Sequence, residues 1–158
     1  MGCSRDWRFL SVMHEVLSTG LGRNDWYDFV AWRVAQQEQI DNAKEGLRKK
    51  AKPVTPGRMV AELTFGFWVG LTGPKYSVDL WEQHLYKAFP NGKLGRKQLN
   101  RRLESIRLLR NRVAHHEPIL SRDLLKDVER ILETIGWMNA NTERWVRQTN
   151  SFPERFAK

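Results

Sequence analysis

The sequence contains almost no cysteine, no long hydrophobic run and few acidic residues for its number of basic ones. Cys3 is the only cysteine among 158 residues, which excludes an internal disulfide and a cysteine-rich zinc site. The longest strongly apolar segment, residues 63–71, contains two glycines. It is well short of the ~20 residues that a membrane-spanning helix needs. We therefore expect a reducing, cytoplasmic setting and no transmembrane segment.

The N-terminal residues match neither a secretory signal nor a complete lipidation motif. MGCSRD offers Gly2 and Cys3, but the myristoylation pattern requires Ser or Thr where Asp6 stands. No apolar core follows the early basic residues before charge returns at Glu15 and Arg23. We expect no membrane partner.

Strand-like alternation of apolar and polar residues is also lacking, whereas helical spacing recurs along the chain. The apolar fraction is 41%, with seven tryptophans, so a chain of this length can bury a core as one domain over residues 1–158. The segment TFGFWVGL also fits a buried strand, but no other segment offers it a strand partner. The sequence therefore predicts an all-α helical bundle of about six helices.

Apolar periodicity and helix-ending residues locate the individual helices. A short helix is predicted over residues 7–17, and a long one from the N-cap Asn24 to about Lys50. A central buried helix is predicted over RMVAELTFGFWVGLTG, starting at Pro56 after Thr55. The remaining predicted helices cover residues 77–89, about 96–117, 124–138 and 142–148, with a turn at residues 90–92. In the first of these, the inward residues are predicted to be Val78, Leu80, Trp81, Leu85 and Phe89.

The positive charge of the chain is concentrated in one segment. There are 27 lysines and arginines against 18 acidic residues, for a net charge of +9. Residues 93–112 hold eight of the basic residues and a single acid, Glu104. Such a cluster is typical of a surface that binds a polyanion, above all nucleic acid. The alternative is a solvated helix face that lies near acidic neighbours.

The segment RNRVAHHEPI at the end of this basic helix carries side chains suited to chemistry on a phosphate. Arg110 can hold a phosphate through two parallel hydrogen bonds, and histidine, here His115, is the residue type best matched to proton transfer near neutral pH. RNA needs no metal for cleavage, because its own 2′-hydroxyl attacks the adjacent phosphate once deprotonated. Positions five apart lie roughly 140° apart on a helix. Arg110 and His115 can therefore meet at one phosphate only if the helix loosens before Pro118, if the long arginine side chain curls around the turn, or if a second subunit contributes one of them.

This segment resembles the nuclease motif of the HEPN superfamily, an arginine and a polar residue followed by a histidine, here Arg110, Asn111 and His115. GRMVAELTFGFWVGL, the FPNG turn and IRLLRNRVAHHEPI look like the Abi-like proteins of phage abortive infection, a HEPN branch, over about residues 26–145. The resemblance implies a HEPN-like fold, a homodimer with a composite cleft, and metal-independent RNA endonuclease activity. The implied role is a toxin of phage defence or of a toxin–antitoxin pair.

The resemblance also implies a role for each motif residue. Arg110 stabilises the phosphorane-like transition state, His115 transfers protons or contacts the phosphate, and Asn111 positions the pair. The residues expected to contact RNA are Arg101, Arg102, Arg107, Arg112 and His116. The expected partners are RNA, a second copy of the chain and an antitoxin protein, and no cofactor is expected.

Each motif residue also has a structural interpretation. Arg110 is then a solvated arginine, and His115 caps the last carbonyl groups of its helix, where the dipole favours a cation. His116 and Glu117 invite a metal site with His115, but consecutive helical side chains point roughly 100° apart and no HExxH spacing exists, so no metal is predicted. The alternatives to a nuclease are a non-catalytic RNA-binding or protein-interaction module, and a subunit whose basic face docks an acidic antitoxin.

Overall fold

The computed structural model describes residues 34–156 of the chain. Within that range every regular element is helical and no β-strand occurs, which confirms the predicted all-α class. The same range holds seven α-helices. The helix predicted over residues 7–17 and the helix start predicted at Asn24 lie outside the described residues. Of the described helices, none is long and apolar enough to span a membrane.

Contacts divide the chain into two compact units, the first ending at Ala88 and the second beginning at Phe89. In the first unit, helix α1 (Val34–Lys49) ends where predicted, and α2 (Pro56–Glu62) begins at the predicted proline with Thr55 as N-cap. Large side chains from several segments form the buried core of this unit. They are Ile40, Leu47, Met59, Phe67, Trp68, Leu71, Tyr76, Leu80 and Leu85.

The central helix predicted over RMVAELTFGFWVGLTG is two helices in the structure, which corrects the prediction. Helix α2 ends at Glu62, Leu63 is extended, and α3 (Phe65–Leu71) begins after Thr64. The Thr64 hydroxyl accepts a hydrogen bond from the Phe67 N–H at 3.2 Å. The same N–H also donates to the Thr64 carbonyl oxygen at 3.1 Å, so Thr64 provides two acceptors at the start of the new helix and favours a helix start over continuation of the old one.

Replacing Thr64 by alanine is expected to lower the free energy of unfolding by about 1 kcal/mol, because α3 loses its N-cap hydrogen bond. Thr55 occupies the N-cap of α2 but makes no side-chain capping bond, so Thr55→Ala is a matched control. We expect the control to change the free energy by about 0.5 kcal/mol or less. Urea unfolding measures both variants. Equal losses at the two threonines would contradict the capping role of Thr64.

The helix predicted over residues 77–89 is replaced by shorter elements. A 3₁₀ turn (Pro74–Tyr76) leads into a π-turn (Ser77–Trp81), and a second 3₁₀ turn (Leu85–Ala88) follows. Because these turns depart from 3.6 residues per turn, side chains do not follow the predicted helical face. Val78, predicted to face inward, is 62% exposed. Of the other predicted inward residues, Trp81 is half-buried and three are buried: Leu80, Leu85 and Phe89.

The second unit holds the basic helix and the motif. The turn predicted at residues 90–92 is formed and precedes α4 (Arg96–Ala114). Helix α5 (Leu124–Met138) and helix α6 (Ala140–Thr149) lie at the predicted positions, the latter slightly longer than expected. A short α7 (Phe152–Phe156) adds one helix to those predicted.

Helices α5 and α6 form an antiparallel hairpin around Asn139. The Asn139 side chain accepts a hydrogen bond from the Thr142 N–H at 2.9 Å and so caps α6. Helix α6 contains no buried residue, and the Arg147 guanidinium attaches it to α5 by donating to Glu129. The pKa of Arg147 is raised well above its ordinary value, mainly by its hydrogen bond to Glu129 and also by that to Glu143. Ion pairing between exposed side chains therefore links the two helices of this hairpin.

Candidate functional site

Helix α4 carries the motif and ends in a Schellman cap. The His116 N–H reaches the Val113 carbonyl at 3.3 Å, and the Glu117 N–H reaches the Arg112 carbonyl at 2.8 Å. His116 has a φ of 56°, the left-handed conformation that completes such a cap. The motif is therefore held in a defined turn whose carbonyl groups are satisfied by backbone donors.

The side chain of His115 does not cap the last carbonyl groups of α4, as its structural interpretation requires. His115 directly follows the end of α4, and its side chain is exposed and makes no hydrogen bond or ion pair with any residue between 34 and 156. The terminal carbonyl groups accept bonds from backbone N–H groups instead of from the imidazole. The imidazole of His115 is therefore available to a ligand.

Arg110 and Asn111 lie near the end of α4. Arg110 is exposed, and its Nη1 donates a hydrogen bond to Asn111 Oδ1 at 3.3 Å. No carboxylate in the described part of the chain pairs with Arg110. Since a guanidinium has five N–H donors, most of those of Arg110 stay available to a phosphate. The contact also agrees with a positioning role for Asn111.

The backbone of one chain keeps Arg110 and His115 on different sides of α4. The His115 N–H still makes a helical hydrogen bond to the Asn111 carbonyl at 2.9 Å, so the helix loosens only after this pair. Five helical positions correspond to a rotation of roughly 140°. A shared phosphate therefore requires the reach of the arginine side chain or a second subunit.

Two of the arginines expected to bind RNA are engaged within the second unit. Arg102 forms an ion pair with Glu133, and its guanidinium carbon lies 4.4 Å from the centre of the Trp137 ring. The Nε of Arg107 donates to Glu104 at 2.9 Å, and this hydrogen bond raises the pKa of Arg107. Both charges are largely compensated, as the solvated-face alternative predicts. These arginines are less available to RNA than the sequence alone suggests.

The other residues expected to contact RNA are exposed. The side chains of Arg101 and His116 make no hydrogen bond or ion pair with residues 34–156. The Nε of Arg112 lies 4.0 Å from Glu117 Oε2, a weak exposed contact. Arg101, Arg112 and His115 are spaced by eleven and three positions, which places them on one face of the helix. Arg110 lies outside that face.

The apolar side of α4 is buried near the start of the helix and becomes exposed at its end. Leu99 and Leu103 are buried, whereas Val113 is 54% exposed. Arg110 lies seven positions after Leu103 and therefore continues the same side of the helix. The end of α4 thus presents an exposed surface that combines Val113 with the guanidinium of Arg110, which pairs with no carboxylate of residues 34–156.

A buried carboxylate beside the motif helix was missed by the sequence analysis. Asp127 of α5 is 5% exposed and accepts hydrogen bonds from Arg122 at 2.7 and 3.0 Å and from Arg130 at 3.3 Å. Arg122 also donates to Ser105 Oγ of α4 at 3.4 Å. The network anchors the loop that follows the motif to both helices. The sequence signal for Asp127 is its position three residues after Leu124, on the apolar side of α5, where an acidic residue needs a charged partner.

Metal ligation by the motif residues finds no support within residues 34–156. No group of three histidine, cysteine, aspartate or glutamate residues there is arranged to hold a metal ion. A metal site made of His115, His116 and Glu117 would need the Glu117 carboxylate as a ligand. In the structure this carboxylate lies beside Arg112.

Comparisons with protein families, with curated proteins and with solved structures found no match to this chain. The resemblance of residues 26–145 to HEPN proteins therefore rests on the motif and the patterns quoted above.

Proposed function

We propose that the protein is a metal-independent endoribonuclease of the HEPN, Abi-like type, which acts as a toxin in phage defence or in a toxin–antitoxin pair. One observation carries the proposal: the exposed end of α4. There Arg110, hydrogen-bonded to Asn111, and His115 have no acidic partner among the described residues. An exposed guanidinium and an exposed imidazole without an acidic partner among residues 34–156 are suited to a phosphate ligand.

The reaction requires few groups. The imidazole of His115 takes the proton of an RNA 2′-hydroxyl while the 2′-oxygen attacks the adjacent phosphorus. Arg110 binds the phosphate and stabilises the negative charge that develops on it. Asn111 holds the guanidinium through the 3.3 Å contact. The bond from phosphorus to O5′ breaks and O5′ takes up a proton, which leaves a 2′,3′-cyclic phosphate and a 5′-hydroxyl.

An exposed basic stripe on α4 is the proposed path of the RNA backbone toward His115. Its members share one side of the helix because of their spacing. They are Lys97, Arg101, Arg112 and His115. An acidic antitoxin bound along the stripe would cover the site and block RNA.

A second copy of the chain completes the site in this proposal. Arg110 continues the side of α4 that is buried at Leu103, and that side is uncovered at Val113. A second α4 packed on the uncovered end would bury Val113 and bring Arg110 of one chain toward His115 of the other. The divergence of the two side chains within one chain then becomes a reason for dimerisation.

Cleavage of RNA in the presence of a metal chelator tests the proposal. We expect the wild-type protein to produce fragments that end in a 2′,3′-cyclic phosphate, and His115→Ala to cleave at least about 10²-fold more slowly. RNA binding that weakens with salt, without any products, would instead support a non-catalytic RNA-binding module. That alternative is favoured by Arg101, which is exposed and has no side-chain partner among residues 34–156. If the protein neither cleaves nor binds RNA, both functions are contradicted.

A further inference from the structure

The turn that joins α1 to α2 carries a second concentration of positive charge. Between Glu45 and Glu62 the chain has five basic residues and no acidic one. They are Arg48, Lys49, Lys50, Lys52 and Arg58. The segment belongs to the first unit, whereas the basic helix α4 belongs to the second. Short segments rich in lysine and arginine are typical of surfaces that bind nucleic acid.

Most of this charge is poorly compensated within the described part of the chain. Arg48 and Lys49 are exposed and approach one carboxylate only, that of Glu45, at 3.9 and 3.8 Å. Exposed pairs at such distances contribute little. The Lys52 side chain is exposed and makes no hydrogen bond or ion pair with residues 34–156. Three neighbouring cations therefore have a single, exposed carboxylate to offset them.

Contacts between α1 and α2 hold the segment in a defined turn. The Arg58 Nη1 donates a hydrogen bond to the Pro53 carbonyl at 3.2 Å, so a guanidinium of α2 returns to the residue that follows Lys52. The Lys50 Nζ donates to Glu62 at 2.7 Å and thereby joins the ends of the two helices. A turn that is ordered before binding loses less conformational freedom when a ligand binds.

The helix dipole explains only part of this charge. Basic residues stabilise a helix when they lie in its last turn, and Arg48 and Lys49 occupy the last turn of α1. Lys52 and Arg58 lie beyond that turn. Carbonyl groups near the end of α1 accept hydrogen bonds from the backbone N–H groups of residues 50–52, so they need no side-chain donor. Neither the dipole nor capping therefore accounts for Lys52 and Arg58.

We propose that Arg48, Lys49, Lys52 and Arg58, here called the basic turn, form a second binding site for the phosphate backbone of RNA. The proposal rests on the ribonuclease function proposed above, which supplies RNA as the polyanion. Phosphates relieve the repulsion among these cations, and their binding releases counterions from the RNA. Contacts to phosphates carry no sequence information, so the basic turn adds affinity without selecting a sequence.

Removal of two lysines tests the basic turn through the salt dependence of binding. The probe is a fluorescently labelled 2′-O-methyl RNA, which lacks the attacking hydroxyl and therefore stays intact, and fluorescence anisotropy measures its affinity. Each phosphate contact on a single strand contributes about 0.7 to the slope of log affinity against log salt concentration. We expect the double variant Lys49→Ala, Lys52→Ala to lose about 1.4 of the magnitude of that slope.

Lys75 and Lys87 provide a matched control. Both are exposed lysines of the first unit that lie outside the basic turn. The double variant Lys75→Ala, Lys87→Ala therefore removes the same charge from the chain, and we expect it to keep the wild-type slope. Equal slopes in the two double variants would overturn the proposal, because the effect would then depend on net charge and not on the basic turn.

Cleavage of unmodified RNA distinguishes failure of this proposal from failure of the ribonuclease function. We expect the Lys49→Ala, Lys52→Ala variant to need more protein for half-maximal cleavage than the wild-type protein. A wild-type protein that binds the 2′-O-methyl RNA but cleaves no RNA would remove the ribonuclease function alone. A wild-type slope for the variant of a protein that cleaves would remove only the basic turn. Loss of binding to polyglutamate, with RNA binding intact, would assign the basic turn to an acidic protein and overturn the proposal.

Discussion

Replacing Arg110 by alanine is expected to slow RNA cleavage by about 10²–10³-fold at an unchanged melting temperature. The guanidinium is exposed and donates to Asn111 alone among the described residues. Its removal therefore deletes stabilisation of the developing phosphate charge without any loss of packing. Single-turnover cleavage of a labelled RNA at saturating protein measures the chemical step separately from binding.

Arg144 provides a matched control for Arg110. It is an exposed arginine of the same unit, its Nη1 donates to Asn141 at 3.4 Å, and it lies outside the motif. We expect Arg144→Ala to cleave RNA as fast as the wild-type protein. The same rate in Arg110→Ala and Arg144→Ala would show that the arginine of the motif has no special role.

Mixing Arg110→Ala with His115→Ala, both expected to cleave slowly, extends this test to the second subunit. A mixed dimer of Arg110→Ala and His115→Ala retains one intact arginine and one intact histidine on different chains. If the site combines residues of two chains, the mixture should regain part of the activity that each variant lacks. Absence of recovery in demonstrated mixed dimers would mean that both residues act within one chain.

Replacing Asp127 by alanine is expected to lower the free energy of unfolding by about 3 kcal/mol, because it leaves a partly buried charge without its partner. The side chain of Asp127 is 6% exposed and that of Arg122 is 22% exposed. Urea unfolding gives the difference in stability.

Glu129→Ala on the same helix is the control for Asp127. Its side chain is 50% exposed and pairs with an exposed arginine, Arg147. The loss is therefore expected to be below about 1 kcal/mol. If Asp127→Ala were no more destabilising than this control, the buried network would not hold the second unit together.

Local signals in the sequence located most helix ends. Thr55 before Pro56, and the proline-asparagine-glycine turn before α4, are short-range features that work without tertiary contacts. The same kind of signal was overlooked at Asn150, whose side chain accepts a bond from the Phe152 N–H as α7 begins. The break at Thr64 was missed because an apolar pattern continued across it. At this position the capping hydroxyl of Thr64 starts a new helix although the apolar periodicity continues.

The sequence identified the motif but not the partners of its neighbours. The pairing of Arg102 with Glu133 joins two helices, and sequence spacing cannot assign such a contact. Asp127 and its arginines were missed for the same reason, since only the packing of α5 makes its carboxylate buried. The left-handed conformation of His116 could not be predicted, because glycine, the usual signal of that turn, is absent.

The way in which α6 is attached has a consequence for work at different ionic strengths. Mobile ions screen exposed charges beyond about 10 Å at 0.1 M salt, and more strongly at higher concentrations. The ion pair between Arg147 and Glu129 lies at the surface, and α6 has no buried residue. Added salt is therefore expected to act in two places, on the proposed attraction between RNA and the stripe and on the ion pair that links α6 to α5. A salt titration of RNA affinity reports phosphate contacts alone only in the range where the circular dichroism of the protein stays constant.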